Sequence, residues 1–204
     1  MVSSIEQRNE RHSEDPKEPE YIKFQIVDVG GQKNERKKWM HCFDDVKCIL
    51  FLVSLAEYNQ VMFEDQKKNR LDDSVKLLKE ISNKKEFEKT ALYVFMNKKD
   101  VFSRMIVEHP LTEKFTDYKG AADDSIASID YLQAKYRAVL PASKRDVIKF
   151  QVITGVVRKD VQNAFQEVTR DLITGNRPDI EAQKEKIRQE ELAEARRNSP
   201  CVIC

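Results

Sequence analysis

Two glycines and two polar side chains follow an alternating apolar segment near the start of the chain, in Asp28-Val-Gly-Gly-Gln32. An Asp at the end of a strand can hold Mg²⁺ through water, because this ion prefers oxygen ligands and keeps several waters. Gly30 and Gly31 let the backbone approach a phosphate and offer it N–H groups. Gln32 can orient an attacking water in phosphoryl transfer. The segment therefore suits phosphate chemistry, although a tight strand-to-helix turn also explains its glycines.

A second polar motif, Asn97-Lys98-Lys99-Asp100, directly follows another apolar segment. The Asp100 carboxylate can accept two N–H bonds from guanine, whereas adenine does not present that donor pair. Asn97 can tie neighbouring loops together, and the aliphatic stem of Lys98 can lie across the base. Such a motif alone is more often a polar turn than a guanine site. Its occurrence together with the first motif, each after a strand, favours a nucleotide site.

Strands and helices that alternate along the chain must position these two motifs. Strands are predicted over residues 22–28, 48–55, 91–96 and 147–153. Helices are predicted from apolar spacing at Leu71, Val75 and Leu78, at Ile129, Leu132 and Tyr136, and at Val161, Ala164, Phe165, Val168 and Leu172. This order predicts a mostly parallel, doubly wound α/β layer. Ligands of such sheets bind at the carboxyl ends of the strands, which is where both motifs fall.

The chain divides into three predicted regions. Residues 1–20 carry six acidic and three basic side chains, a net charge of −3, and are predicted to be disordered. Residues 21–175 are predicted to form the α/β domain. Residues 176–204 follow a Gly- and Pro-containing break and are predicted to form a charged helical tail.

Composition limits the classes of partner. Lys and Arg total 36 against 35 Asp and Glu, which gives no global reason to expect nucleic-acid binding. We see no signal peptide and no apolar run of membrane-spanning length. The four cysteines therefore indicate a reducing, cytoplasmic setting rather than a disulfide framework.

The segment from residue 28 to residue 43 resembles switch II of heterotrimeric G-protein alpha subunits. The resemblance is carried by Asp-Val-Gly-Gly-Gln-Lys-Asn-Glu-Arg-Lys-Lys-Trp-Met-His-Cys-Phe, of which ordinary small GTPases lack the later part. It continues through Ser54 to Tyr58, Glu64-Asp65, Asn69-Arg70, Asn97 to Asp100, Pro110 to Thr112 and Tyr118 to Gly120. It covers roughly three quarters of the chain, with both motifs in their expected context.

The resemblance implies a role for each matching residue. Gly31 would donate its N–H to the terminal phosphate, Asp28 would support Mg²⁺ through water, and Gln32 would position the hydrolytic water. Guanine of GTP or GDP would be bound by Asn97, Lys98, Asp100 and the backbone N–H of Gly155. The beta-gamma dimer would be contacted by Arg36, Lys38, Trp39, His41, Cys42 and Phe43. These roles imply a signalling protein that also meets a receptor and an effector. A solvated basic face is the simpler explanation of Arg36 and its lysine neighbours.

The chain departs from the family pattern on the phosphate side. Its five glycines, at positions 30, 31, 120, 155 and 175, do not form a G-x-x-x-x-G-K-[ST] loop. Residues 1–20 do not resemble the first switch, and the inserted helical domain is missing. The sequence thus predicts an incomplete Ras-like (P-loop NTPase) domain with impaired GTP hydrolysis. The alternative is a non-catalytic binding module that presents the switch II surface to beta-gamma or effectors.

The missing loop has a structural consequence. In the Ras-like fold the strand before that loop lies between those matching residues 22–28 and 48–55. Its absence predicts a gap, direct pairing of the two flanking strands, or a partner strand in the gap, because unpaired buried backbone groups cost about 1–3 kcal/mol each.

The C-terminal Cys201-Val-Ile-Cys204 has the form of a prenylation signal, with Arg196-Arg197 upstream. Cys201 is thus a candidate lipidation site, which implies peripheral association with the cytoplasmic face of the plasma membrane. The same Cys-x-x-Cys spacing is half a zinc site, but no second Cys or His pair accompanies it.

Overall fold

The computed structural model describes residues 2–8, 21–32, 35–36, 39, 46–88, 90–175 and 189. The chain forms two compact units, Met1–Val46 and Lys47–Cys204. The predicted helical tail and Cys201 lie outside the described residues, apart from Gln189.

The first unit contains two antiparallel strands, β1 (Val2–Arg8) and β2 (Tyr21–Val27). Their register runs from Val2 opposite Val27 to Arg8 opposite Tyr21. β2 confirms the predicted strand over 22–28, displaced by one residue. The structure differs from the predicted disorder at residues 2–8, whereas residues 9–20 are not described. The physical reason is that β2 needs partners for its N–H and C=O groups, and an adjacent strand supplies them even when it has few apolar side chains.

The second unit contains a parallel sheet of three strands in the order β3-β4-β5. These strands are β3 (Cys48–Ser54), β4 (Ala91–Asn97) and β5 (Lys149–Val152). They confirm the three strands predicted for this part of the chain, with β5 shorter than expected. Side chains of β4 from Leu92 to Met96 are all buried, as expected for a strand covered on both faces.

Four helices connect and cover the strands of this sheet. They are α1 (Arg70–Ser82), α2 (Lys99–Glu108), α3 (Ser125–Ala138) and α4 (Arg158–Gly175). Asn69 and Asp124 cap the N-termini of α1 and α3 by accepting backbone N–H bonds. The sequence analysis missed α2, although Phe102 and Ile106, both fully buried, have helical spacing. None of the described helices is long and apolar enough to cross a membrane.

The core lies on both faces of the sheet. On one face, Tyr93 and Phe95 of β4 pack with Ala164 and Val168 of α4. On the other, α1 contacts β3, and Val94 and Met96 have no solvent exposure. The doubly wound α/β prediction is therefore confirmed.

The strand β3 is an edge strand of the three-stranded sheet that the structure describes. In the first unit, β2 is paired with β1. The expectation of a gap or of a partner strand beside residues 48–55 stays a prediction.

Candidate functional site

Two loops meet at the carboxyl ends of β4 and β5. Asn97, the last residue of β4, accepts the backbone N–H of Gly155 on its side-chain oxygen, with an N···O distance of 2.8 Å. The backbone N–H of Lys99 donates to the carbonyl oxygen of Ile153 at 3.4 Å. Asn97 thus ties the neighbouring loops together, as its position in the sequence predicted.

Lys98 adopts an unusual backbone conformation between β4 and α2. Its φ of 63° and ψ of 37° are left-handed, and among the described residues it alone has a positive φ. Such a conformation costs a residue with a side chain about 1–3 kcal/mol. The Asn97 side-chain oxygen also accepts the Lys98 N–H at 2.6 Å, which stabilises the turn. Strain held by a specific hydrogen bond is typical of ligand-binding loops.

Asp100 lies in the first turn of α2, where the N-terminus of the helix favours a negative charge. Its side chain is 43% exposed, and its nearest cation is Arg104, 3.9 Å away. That pair is long and exposed, so it contributes little energy. The Asp100 carboxylate is therefore open to solvent, next to the loops that Asn97 joins.

Glycine at position 155 permits the close approach of the two loops. A Cβ added there would lie 2.8 Å from Asn97 Nδ2, closer than real Cβ atoms come to such an atom. Any larger residue must displace the Asn97 amide.

The helix α4 anchors the loop that follows β5. Asp160, in its first turn, accepts the backbone N–H of the buried Thr154 at 3.1 Å. This contact could not be predicted from the sequence, since only the folded loop brings two residues six positions apart into hydrogen-bonding distance. An Asp in the first turn of a predicted helix was the available signal.

The motif from Asp28 to Gln32, which suits phosphate chemistry, lies in the first unit. Asp28, Gly31 and Gln32 are exposed. The carbonyl oxygen of Gln32 accepts backbone N–H groups from Glu35 and Arg36, so a helical turn begins there. A Cβ added at Gly30 would meet the Glu35 carboxylate, which would have to swing away. Gly31 has open space, as expected if a ligand is to approach its backbone.

Two of the predicted partner-contacting side chains fold back onto these glycines. Trp39 donates its indole N–H to the carbonyl oxygen of Gly30 at 2.8 Å. Arg36 donates its Nε–H to the carbonyl oxygen of Gly31 at 3.1 Å. The other predicted contacts, Lys38, His41, Cys42 and Phe43, lie outside the described residues.

The residues present fit a guanine base better than they fit a dedicated metal cage. At one sheet edge Asp100 offers an exposed carboxylate, next to two loops in which Asn97 accepts the N–H groups of Lys98 and Gly155. Within the described part of the chain, no three His, Cys, Asp or Glu side chains gather at metal-binding distance. A single carboxylate at Asp28 suits Mg²⁺ held through water, because this ion usually keeps several of its waters.

The fold and the polar edge of its sheet define a Ras-like α/β protein. The family model "G-protein alpha subunit" matches residues 7–173, which is most of the chain. The chain therefore belongs to the G-protein alpha subunit family.

Relatives of known name support this assignment. The alpha-8 subunit of the guanine nucleotide-binding protein from Dictyostelium discoideum is 42% identical over 156 residues, which cover 76% of this chain and 38% of that protein. The G(o) alpha subunit of Lymnaea stagnalis is 40% identical over 155 residues, covering 76% of this chain and 43% of that protein. The alpha-9 subunit of Dictyostelium discoideum is 40% identical over 154 residues, covering 76% and 44%. The chain thus spans about two fifths of the length of these relatives.

Proposed function

We propose that this chain binds guanine nucleotides as part of a G-protein signalling system. The observation that carries the proposal is the hydrogen bond from the Gly155 N–H to Asn97 Oδ1, at 2.8 Å. It joins the two loops that would surround the base. The names of the relatives, all guanine nucleotide-binding alpha subunits, support the same ligand.

Recognition of the base would rest on the second unit. The Asp100 carboxylate would accept the two N–H groups on one edge of guanine, and charge-assisted bonds of this kind are about twice as strong as neutral ones. The left-handed turn at Lys98 would direct its aliphatic stem along the base. The Gly155 N–H donates to Asn97 Oδ1 at 2.8 Å, so it would have to release that bond to donate to the base oxygen.

The family resemblance gives the phosphate roles to three residues near the start of the chain. Gly31 would donate its N–H to the terminal phosphate, and Gln32 would orient the attacking water. Asp28 would hold water bound to Mg²⁺, which when present neutralises charge that develops on the phosphates.

GTP hydrolysis by these 204 residues is proposed to be impaired. Catalysis of phosphoryl transfer depends almost entirely on positioning and on neutralising charge. The residues that remain on the phosphate side, Asp28, Gly31 and Gln32, provide one carboxylate, one backbone donor and one amide. That set would orient water and hydrated Mg²⁺, but it contains no Lys or Arg side chain to neutralise charge on the phosphates.

The surface around Trp39 is the proposed contact for a beta-gamma dimer, with a receptor and an effector as further partners. A second candidate function, a non-catalytic binding module, is favoured by the contacts of Trp39 and Arg36 with Gly30 and Gly31. These contacts hold Trp39 and Arg36 against the backbone of the two glycines. Capture of purified beta-gamma by the chain, and its loss in Trp39→Ala, would support this module. Equal capture by both would count against it.

The proposed location is the cytoplasm and the cytoplasmic face of the plasma membrane, with Cys201 as the lipid attachment point. One lipid chain gives only marginal, reversible membrane binding. The intact mass of the protein from its native cell tests this directly, since an unmodified Cys201 thiol rejects the lipid anchor.

The experiment that tests nucleotide binding is a fluorescence titration of the purified chain with a labelled GTP, followed by competition. Unlabelled GTP and GDP should displace the label, and ATP should not. Equal displacement by ATP, or no binding, would contradict the proposal. Phosphate release followed in the same samples separates binding from hydrolysis.

A further inference from the structure

Four side chains from three elements form a polar cluster between α4 and the sheet, here called the polar clasp: Tyr93, Lys149, Glu167 and Asp171. Lys149 Nζ lies 2.6 Å from Asp171 Oδ2 and 3.2 Å from Glu167 Oε1. The Tyr93 hydroxyl donates to the same Asp171 oxygen at 2.6 Å. One carboxylate oxygen of α4 is thus bonded to both strands beneath the helix.

The surroundings of the clasp complete its hydrogen bonding. Gln151, on β5, donates its side-chain N–H to Glu167. Arg170 adds a positive charge near Asp171, and the half-buried thiol of Cys48 on β3 lies near Tyr93. Tyr93 is only 4% exposed, whereas the side chains of Lys149, Glu167 and Asp171 are one third to two fifths exposed. The clasp therefore lies at the margin of the core, where charges keep partial contact with water.

The apolar contacts of α4 do not by themselves specify how the helix is placed. Its buried residues Ala164 and Val168 are small, and Phe165 and Leu172 pack beside them at the edge of the same cluster. Hydrophobic attraction is non-directional and roughly proportional to buried area, so small rotations or shifts along the axis change it little. A bond from Asp171 to two strands at once allows one placement only.

We infer that the polar clasp fixes the rotation and axial register of α4 on the sheet. Its role is to stabilise one placement of α4 rather than the domain as a whole. The desolvation of partly buried ions offsets much of their attraction, whereas removal of one partner leaves the others unpaired. This inference is independent of nucleotide binding.

The test is native-state hydrogen exchange at neutral pH, read by mass spectrometry on peptides from α4, with α1 peptides as internal reference. The variant Y93F/K149M/D171M replaces Asp171 together with the two side chains that hydrogen-bond to it. We expect its α4 amides to exchange at least tenfold faster than wild type, with α1 amides within about twofold. Unchanged exchange in α4 would show that packing alone sets the placement. Equal acceleration in both helices would show a general stabilising role, and either result would overturn the inference.

A milder variant keeps the test decisive if the triple variant does not fold. Y93F removes one hydroxyl and leaves the Lys149–Asp171 ion pair, so α4 should exchange about threefold faster while α1 is unaffected. No change in α4 of Y93F would contradict the inference. The matched control is Lys68→Met, which breaks an exposed ion pair with Asp65 that is also 2.6 Å long and should leave α4 unchanged.

Discussion

The side-chain oxygen of Asn97 accepts two backbone N–H groups, one from Lys98 at 2.6 Å and one from Gly155 at 2.8 Å. The first bond stabilises a left-handed turn, and the second joins the ends of β4 and β5. A single side chain thereby links both loops of the proposed base site.

Asn97→Ala should weaken guanine-nucleotide binding by about tenfold or more. Each hydrogen bond contributes about 0.5–1.5 kcal/mol, and 1.4 kcal/mol corresponds to a factor of ten. The dissociation constant of labelled GDP measures the effect. Asn83→Ala is the control, because Asn83 also bonds through its side chain, to the Lys79 carbonyl at the end of α1, but lies outside the site. Equal affinities for Asn97→Ala and Asn83→Ala would contradict the role of Asn97.

Asn69→Ala should lower the free energy of unfolding by about 1–2 kcal/mol, since removal of an N-cap costs about 0.5–2 kcal/mol. Asn69 Oδ1 accepts the N–H groups of Leu71 at 2.8 Å and Asp72 at 3.3 Å. Its Nδ2 also donates to the Tyr58 carbonyl at 2.8 Å. Denaturant unfolding measures the loss. Asn69→Asp keeps the capping oxygen but loses the donor to the Tyr58 carbonyl, so it should recover only the capping part of the loss. A stability equal to that of Asn69→Ala would argue against capping.

Alkaline pH should destabilise the fold through Tyr58. Burial, with a smaller effect from the charge of Glu113, raises the pKa of Tyr58 to about 12, above its ordinary value of 10. The folded state therefore holds this proton more tightly than the unfolded state. The stabilising effect is fully present below pH 10 and is lost as the pH rises from 10 towards 12, by at most about 1.4 kcal/mol per pH unit.

Tyr58→Phe isolates this contribution. Its free energy of unfolding should be lower than wild type at pH 8, because the hydroxyl donates to the His109 carbonyl. Between pH 10 and 12 it should fall less steeply than that of wild type. Parallel pH profiles for the two proteins would rule out the assigned role of Tyr58.

Much of the fold was predictable because apolar residues repeat at the spacing of each element. The continuous apolar run that became β3 and the stripe from Val161 to Leu172 in α4 are examples. The helix α2 was not predicted because it begins inside the polar motif, at Lys99, and no side chain caps its N-terminus. β1 was missed because backbone pairing, not side-chain pattern, accounts for it.

Less of the candidate site was predictable. The sequence indicated that Asn97 joins neighbouring loops, and the structure shows the bond to Gly155. It did not indicate the positive φ of Lys98 or the contact between Asp160 and Thr154, because both depend on the path of the folded loops. The predicted roles of Asp28, Gly31 and Gln32 stay predictions.

Base selectivity of Asp100→Asn, measured on the 204-residue chain by competition with GTP, ATP and xanthosine triphosphate, tests the central claim most directly. Wild type should prefer GTP over both others, because the Asp100 carboxylate accepts the donor pair of guanine. The affinity of the variant for GTP should fall by about a hundredfold, about 2.8 kcal/mol. The variant should prefer xanthosine triphosphate, since its amide donates to the carbonyl that replaces the guanine amino group. An unchanged preference for GTP in Asp100→Asn would contradict the guanine site proposed at this sheet edge.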